Sequence, residues 1–204
     1  MGSEAFAAEY LPEDEPLLAA RANAADLGGT EPVLPPVGAA LRFLACAVGA
    51  RTTVEIGTGC GSSGIWLLRG MRPGSTLTSV DIEPEYQRLA RKAFVQAGFA
   101  QNQCRLILGR ALDVLPRLSD GAYDMVFCDA DTRDYLDYLT AALRLLRPGG
   151  IVAFNNALPA GAWGDDQDDD PTLALANKVR ADDRLVPVLL PLGGGLLAAV
   201  KRGD

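Results

Sequence analysis

Glycines at alternate positions follow an apolar, strand-like segment of the chain: Gly57, Gly59 and Gly61. Such a run predicts a buried strand, a tight turn and a helix that begins directly after the turn. Glycine permits the turn and leaves no Cβ in the way of a ligand. Asp81 ends the next strand-like segment, residues 77–81, about 20 residues further on. A carboxylate there can accept both hydroxyls of a ribose, so the pattern predicts a nucleoside-cofactor site.

The composition argues against several classes of protein. The 204 residues carry a formal net charge of -7, which disfavours a nucleic-acid partner. The chain has no histidine, so a Ser-His-Asp triad and a His-ligated metal site cannot form. Its four cysteines show no CxxC spacing, as is typical of reduced thiols. Because we find no signal peptide and no apolar stretch of about 20 residues, we expect a cytoplasmic protein without a membrane partner.

Strand-like and helix-like segments alternate along the chain, which predicts a parallel sheet covered on both faces. The predicted strands are residues 53–57, 77–81, 104–108, 124–129 and 151–154. The predicted helices are residues 17–27, 84–97 and 134–146, with another that begins after Pro35-Pro36. The sequence RPGG at 147–150 is expected to end the helix at 134–146. Residues 185–191 and 196–201 flank a glycine run and predict a terminal antiparallel hairpin.

Two nucleoside-cofactor classes fit the glycine run. Gly59, Gly61 and Gly64 satisfy G-x-G-x-x-G, so a nicotinamide- or flavin-dependent enzyme is one alternative. Against it, Gly57 rather than Gly59 directly follows the strand, and the terminal hairpin does not fit a second mononucleotide-binding half. The order E-x-G-x-G-x-G from Glu55, with an acid after the next strand, instead resembles motif I of class I S-adenosylmethionine (AdoMet) methyltransferases.

Later segments narrow this resemblance to one branch. Residues 109–113 (GRALD), 123–131 (YDMVFCDAD) and 145–156 (LLRPGGIVAFNN) resemble the cation-dependent O-methyltransferases of the catechol and caffeoyl-CoA type, methyltransferase family 3. The resemblance runs from about residue 33 to 202. It implies a Rossmann-like seven-strand α/β fold, mostly parallel with a C-terminal antiparallel hairpin, as a single domain over 1–204 with a helical extension to about residue 35. It also implies methyl transfer to a hydroxyl of a small, catechol-like acceptor, and a homodimer.

The resemblance assigns cofactor-binding roles residue by residue. Glu55 would engage the methionyl end and the turn; its alternative is a buried acid paired with backbone amides. Asp81 would bind the ribose; its alternative is an N-cap for the helix at Pro84. The other implied cofactor contacts are Val33 through its backbone, Gly57, Thr58 and Gly59 along the cofactor, Ser63 at the methionine carboxylate, Ile82, Ala111 and Leu112 at the adenine, and Asp129.

The resemblance also implies a Mg²⁺ site that chelates vicinal oxygens of the acceptor. Asp129 and Asn156 match its first and last ligands and are the implied catalytic residues, and Asn155 is the altered third position. Such a cation lowers the pKa of the acceptor hydroxyl and aims the oxyanion at the sulfonium methyl group. Asn155 replaces an aspartate of the family, and Thr132 replaces the lysine that serves as base. Arg133, next along the chain, stays protonated and cannot take that role.

Three explanations of these departures stay open. The metal could use another acid, Asp131 or Asp134, or one from the acidic run 165–170. Alternatively, the acceptor could carry a hydroxyl that is already ionised near neutral pH. Finally, the chain could bind AdoMet or S-adenosylhomocysteine without efficient turnover. The acidic run also reads as a surface loop whose Asp170 caps a helix, and Trp163 is a candidate wall of the acceptor pocket.

Overall fold

The computed structural model of the chain describes Phe6, residues 9–158 and residues 170–203. Trp163 and most of the acidic run lie outside the described residues. The strands are β1 (Thr52–Ile56), β2 (Thr76–Asp81), β3 (Cys104–Leu108), β4 (Tyr123–Cys128), β5 (Leu146–Phe154), β6 (Leu185–Leu190) and β7 (Leu196–Lys201). The helices are α1 (Glu15–Leu27), α2 (Pro35–Ala47), α3 (Ser62–Gly70), α4 (Pro84–Gln96), α5 (Ala111–Val114), α6 (Tyr135–Leu145) and α7 (Pro171–Ala181).

The strands form one sheet in the order β3-β2-β1-β4-β5-β7-β6. Strands β1 to β5 are parallel, and β7 is antiparallel to both of its neighbours. This confirms the predicted mostly parallel sheet with a C-terminal antiparallel hairpin. The strand order reverses between β1 and β4, and in open α/β sheets a ligand binds outside the carboxyl ends of the strands at such a point.

Two apolar clusters cover the two faces of the sheet. Along β4, Met125 and Phe127 face one cluster, while Val126 and Cys128 face the other. This alternation is the period-two pattern of a strand that is buried on both sides. Helices α1 to α4 contribute to the first cluster, and helices α6 and α7 contribute to the second. Among the described helices, none is both long and apolar enough to cross a membrane.

The start of β5 differs from the prediction. Residues 147–150 were expected to lie between the helix and a strand at 151–154, but β5 already begins at Leu146. Leu146 pairs with Tyr123 and Ile151 pairs with Met125, so residues 147–150 bulge out opposite Asp124. The Arg147 guanidinium donates to the Asp124 carboxylate at 2.7 Å. This long-range ion pair holds the bulge against β4, and the local RPGG pattern could not reveal it.

The helix boundaries agree well with the sequence pattern. The helices expected at 17–27, after Pro35 and at 84–97 are present as α1, α2 and α4. Helix α7 begins at Pro171, and Asp170 is its N-cap, since its carboxylate accepts from the Thr172 amide at 2.8 Å. The predicted capping role of Asp170 is therefore confirmed.

Gly57 joins β1 to the glycine turn and lies against the end of β4. Its φ is 92°, in the left-handed region that favours glycine. A Cβ at this position would lie 2.1 Å from the backbone oxygen of Asp129. The ends of β1 and β4 can therefore approach this closely only without a side chain at position 57.

We expect Gly57→Ala to lower the free energy of unfolding by about 3 kcal/mol or more, because the backbone of Asp129 must move to admit the methyl group. Gly98→Ala is the matched control. Gly98 has a φ of 87° and open space where its Cβ would be, so only the backbone cost of about 1 kcal/mol applies. Urea unfolding of both variants measures the difference. Equal losses would show that the contact with Asp129 is unimportant.

Candidate active site

A cavity of about 710 Å³ opens at the carboxyl ends of β1, β2 and β4. Most of the predicted site residues line it: Val33, Gly57, Thr58, Gly59, Ser63, Asp81, Ile82, Ala111, Leu112, Asp129 and Asn156. Glu55, Asn155 and Thr132 are not part of its wall. The fold therefore brings the predicted cofactor residues and the predicted catalytic end together in one continuous space.

The Asp81 carboxylate connects the glycine turn to β2. One of its oxygens accepts from the backbone amides of Thr58 and Gly59, at 2.8 and 3.0 Å. The other accepts from the amide of Glu83 at 2.9 Å. Glu83 itself is the N-cap residue of α4, so the alternative reading of Asp81 as the N-cap is wrong. A carboxylate has about four acceptor sites, and these three amides leave one of them, on the oxygen that faces Glu83, for a ribose hydroxyl.

Glu55 is fully buried beneath the turn rather than exposed in the cavity. Its two carboxyl oxygens accept from the hydroxyls of Ser63, at 2.7 Å, and Ser79, at 2.6 Å. The Ser79 hydroxyl also lies 2.7 Å from that of Thr58. The predicted partners of Glu55, backbone amides, are thus replaced by serine hydroxyls. The structure does not give Glu55 the direct position at the methionyl end that the resemblance implies.

Burial raises the pKa of Glu55 to about 8, although the hydrogen bonds from Ser79 and Ser63 oppose this shift. Ser63 lies in the first turn of α3 and reaches the cavity wall. While Ser63 donates to Glu55, its hydroxyl offers only lone pairs to the cavity. The protonation of Glu55 is thereby linked to what Ser63 can offer a ligand.

The segment between α1 and α2, residues 28–34, forms a strap along one side of the cavity. The Tyr86 hydroxyl donates to the backbone oxygen of Gly28 at 2.9 Å, and Arg21 donates to that of Val33 at 2.9 Å. Thr30 lies over the turn, since a Cβ on Gly59 would be 3.1 Å from its hydroxyl oxygen. Sequence reasoning missed Thr30 and Tyr86, because contacts between a loop and a distant helix leave no local pattern.

The predicted adenine end of the cavity has apolar residues in its wall. Ile82 lines it with 60% of its surface exposed, which is high for an isoleucine beside a cavity. Ala111 and Leu112 lie opposite, at the start of α5. The backbone amide of Gly109 donates to the backbone oxygen of Asp81 at 2.8 Å and so holds α5 near β2. Ile82, Ala111 and Leu112 all line the cavity, and their contact with adenine stays a prediction.

Asp129 lies at the opposite end of the cavity, where β4 ends. It is half-buried, and burial raises its pKa to about 6, against the effect of a hydrogen bond from Asn155. That bond runs from the Asn155 side-chain nitrogen to Asp129 Oδ1 at 3.0 Å. Asn155 is itself buried, and its backbone oxygen accepts from the Tyr135 hydroxyl at 2.7 Å. Neighbouring Asn156 has a φ of 49° and faces the cavity.

The other acids near Asp129 are already engaged. Arg133 donates to both oxygens of Asp131 and holds the pKa of that carboxyl at about 2. The Tyr138 hydroxyl donates to Asp134 at 3.3 Å, and both residues line the cavity. Sequence reasoning missed Tyr138, although its spacing of four residues from Asp134 on a helix was a usable signal.

Among the described residues, the side chain at the altered third position, Asn155, does not fit the cation that the resemblance implies. Mg²⁺ takes oxygen ligands, usually including one or two carboxylates. Here Asp131 and Asp134, which also line the cavity, are engaged by Arg133 and Tyr138, and Asn155 directs its nitrogen rather than its oxygen toward Asp129. Within residues 9–158 and 170–203, no three acidic or cysteine side chains are grouped so that they could hold a metal ion. The altered third position, Asn155, thus acts in the structure as a hydrogen-bond donor.

Comparisons with known proteins agree with this architecture. The sequence model of the O-methyltransferase family matches residues 7–202. A Mycolicibacterium vanbaalenii protein named as an O-methyltransferase is 48% identical over 195 residues, which cover 94% of this chain and 86% of that protein. The crystal structure of the O-methyltransferase TomG from Streptomyces achromogenes, in complex with SAM, is 30% identical with a TM-score of 0.88 and covers 98% of this chain and 95% of that one.

A Bacillus cereus O-methyltransferase in complex with SAH is also similar. It is 28% identical, with a TM-score of 0.86, and the match covers 98% of this chain and 96% of that one.

The raised pKa of Glu55 predicts a pH-dependent stability. The folded state keeps a proton that the unfolded chain releases above its pKa of 4.5, so stability is full below about pH 4.5 and falls until about pH 8. Relative to Glu55→Gln, which does not titrate, the wild type should lose about 1.4 kcal/mol per pH unit across this window. Urea unfolding from pH 5 to 8 measures the slope. Glu83→Gln, at an exposed site, should follow the wild type; a constant difference for Glu55→Gln would contradict the burial argument.

Asp81→Ala tests the ribose assignment. Loss of a charge-assisted hydrogen bond to a ribose hydroxyl should weaken AdoMet binding by about 30-fold. Calorimetric titration with AdoMet provides the measurement, and thermal unfolding of the ligand-free variant reports any damage to the turn. Asp113→Ala, on exposed α5 surface, is the matched control with unchanged affinity. Wild-type affinity in Asp81→Ala would refute the assignment.

Proposed function

The chain belongs to the O-methyltransferase family, and from this premise we propose that it transfers the AdoMet methyl group to a hydroxyl of a small aromatic acceptor with vicinal oxygens. The observation that carries the proposal is one cavity lined by both Asp81, which ends β2, and Asp129, which follows β4, the two strands on either side of β1. A cofactor bound by its ribose at Asp81 and by its methionyl part at the glycine turn would direct its sulfonium toward Asp129.

In the proposed reaction the acceptor oxygen attacks the sulfonium methyl carbon in line. The new C–O bond forms as the S–C bond breaks, and the electron pair of the broken bond stays on sulfur in S-adenosylhomocysteine. The hydroxyl loses its proton to the medium. The protein contributes mainly by holding the two reactants in this alignment. One oxygen of Asp129 is held by Asn155, and the other can accept from the second, non-reacting hydroxyl of a catechol.

The side chains near Asp129 favour an acidic acceptor. Thr132, at the position of the family lysine, cannot remove a proton at neutral pH, and Arg133 is paired with Asp131. The acceptor must then contribute more of the required acidity itself. We therefore favour catechols with an electron-withdrawing substituent, whose hydroxyls ionise near neutral pH, over unsubstituted alcohols.

We also propose a homodimer that works in the cytoplasm. Edge strand β6 exposes the apolar side chains of Val186, Val188 and Leu189, which supports an apolar contact with a second copy. The four cysteines are all free thiols, which suits a reducing compartment. Sedimentation of the purified chain, compared with Val188→Lys, tests the dimer: a monomeric wild type rejects it.

The acceptor proposal predicts a dependence on hydroxyl acidity. With saturating AdoMet at pH 7, kcat/KM for 4-nitrocatechol should exceed that for catechol by about 10-fold or more, because the more acidic hydroxyl needs less help from a base. Thr132→Lys should raise the rate with catechol more than with 4-nitrocatechol and so narrow the gap. Methyl transfer is followed by chromatography of both products.

The same assay distinguishes the proposed methyltransferase from the alternative, a protein that binds AdoMet without efficient turnover. AdoMet binding with no product from any phenol or catechol, in the wild type and in Thr132→Lys, would favour that alternative. Equal rates for both catechols would instead reject the acidity argument while leaving the methyltransferase proposal intact.

A further inference from the structure

Asn155 and Asp129 form a direct contact where the family resemblance places a cation between carboxylates. Asn155 follows the end of β5, with 6% of its surface exposed, and Asp129 follows the end of β4. The side-chain nitrogen of Asn155 donates to Asp129 Oδ1 at 3.0 Å. The backbone amide of Asn155 donates to the Cys128 oxygen at 3.0 Å, and its backbone oxygen accepts from Tyr135. Hydrogen bonds of both its backbone N–H and its backbone oxygen therefore hold Asn155 in place.

We propose that Asn155 is a positioning residue that replaces the divalent cation: its amide holds the Asp129 carboxylate at the acceptor end, and methyl transfer in this chain needs no divalent cation. The inference rests on the proposed function for its activity readout, but its structural part concerns only Asp129 and Asn155. Asn155 in place of the family aspartate is a feature of this chain that departs from the pattern of the family.

The Asn155 side-chain amide is oriented as a hydrogen-bond donor and not as a cation ligand. An asparagine binds a cation through its oxygen, since its nitrogen has no free lone pair. If the amide were turned over, its oxygen would face Asp129 Oδ1 at about the same 3.0 Å separation, and two acceptors would repel each other. The observed pairing of donor with acceptor is stable without any ion. A ligand role for Asn155 would require this hydrogen bond to break.

The charge at positions 129 and 155 also differs from that of a site with two carboxylates, which would need a cation. An aspartate at position 155 would place a second negative charge beside Asp129, and two carboxylates this close need a cation or a shared proton between them. An asparagine removes that need. The nearby acids do not restore it, because Asp131 is paired with Arg133 and Asp134 accepts from Tyr138.

Thr132 is a second departure from the family pattern, since it stands where the family has a lysine. A cation and a lysine would both make the acceptor hydroxyl easier to ionise, and the chain departs from the family at both positions. The two departures are consistent with one change of strategy, in which the acceptor is held by a hydrogen bond to Asp129 and contributes its own acidity. Departure at only one of the two positions would not have pointed to this conclusion.

Introducing a carboxylate at position 155 tests the proposal with a readout that does not need turnover. We expect Asn155→Asp to melt at a lower temperature than the wild type in EDTA, since two carboxylates then face each other. Saturating Mg²⁺ should recover at least half of that loss in the variant and leave the wild-type melting temperature unchanged. Asn177→Asp, which adds the same charge on the exposed surface of α7, should not respond to Mg²⁺. All three proteins are measured with S-adenosylhomocysteine bound.

The activity arm uses 4-nitrocatechol and AdoMet after removal of metals on a chelating resin. The wild-type rate in EDTA and in Mg²⁺ should agree within about twofold, whereas Asn155→Asp should depend on Mg²⁺ by about 10-fold or more. Asn155→Ala should lower kcat more than it changes AdoMet affinity, because it frees Asp129 without touching the cofactor end.

Two results would overturn the inference. One is a saturable Mg²⁺-dependent rise in the wild-type melting temperature, and the other is a wild-type rate that EDTA abolishes and Mg²⁺ restores. If no acceptor is methylated under any condition, the proposed function fails, but the melting experiment still decides whether the site of the wild type binds a cation.

Discussion

The hydrogen bonds from the Thr58 and Gly59 amides to the Asp81 carboxylate hold the cofactor end of the structure together. They join the turn after β1 to the end of β2, so the shape of the turn depends on one side chain of the neighbouring strand. The close contact between Gly57 and the backbone of Asp129 adds β4 to the same junction. The ends of three strands are thereby fixed with respect to one another, and the cavity is shaped before a ligand arrives.

Beneath this junction lies a buried polar group whose arrangement the sequence could not reveal in full. The pattern E-x-G-x-G-x-G marked Glu55 as important, but one of its partners, Ser79, is on β2. The choice of partner follows from the parallel register that sets Glu55 beside Ser79. Strand prediction gives the presence of both segments and not their alignment. For the same reason Tyr86 and Thr30 were missed, since each acts on the cavity from an element distant in the chain.

The parts of the fold that follow from local periodicity were predicted well. Helix α4 has apolar residues at helical spacing after a proline, and β4 is a short apolar run between polar segments. The bulge at the start of β5 was not predicted, because it depends on an ion pair between Arg147 and Asp124 and on pairing with Tyr123 across the sheet. At the candidate active site, most of the residues predicted from the sequence line one cavity, but their hydrogen-bonding directions required the structure.

Hydrogen-bond direction is also what distinguishes the two ends of the cavity. At the predicted cofactor end, three backbone amides donate to Asp81, and the remaining acceptor capacity suits a ribose hydroxyl. At the proposed acceptor end, a buried side-chain amide donates to one oxygen of Asp129, and Asp129 lines the cavity. In both places a carboxylate is oriented by neutral donors, so neither needs a counter-ion to stay in position. A neutral donor fixes an orientation without lowering the electron density of an acceptor hydroxyl as a metal ion would. In the proposed reaction, methyl transfer at such a site would therefore depend more strongly on the acidity of the acceptor itself.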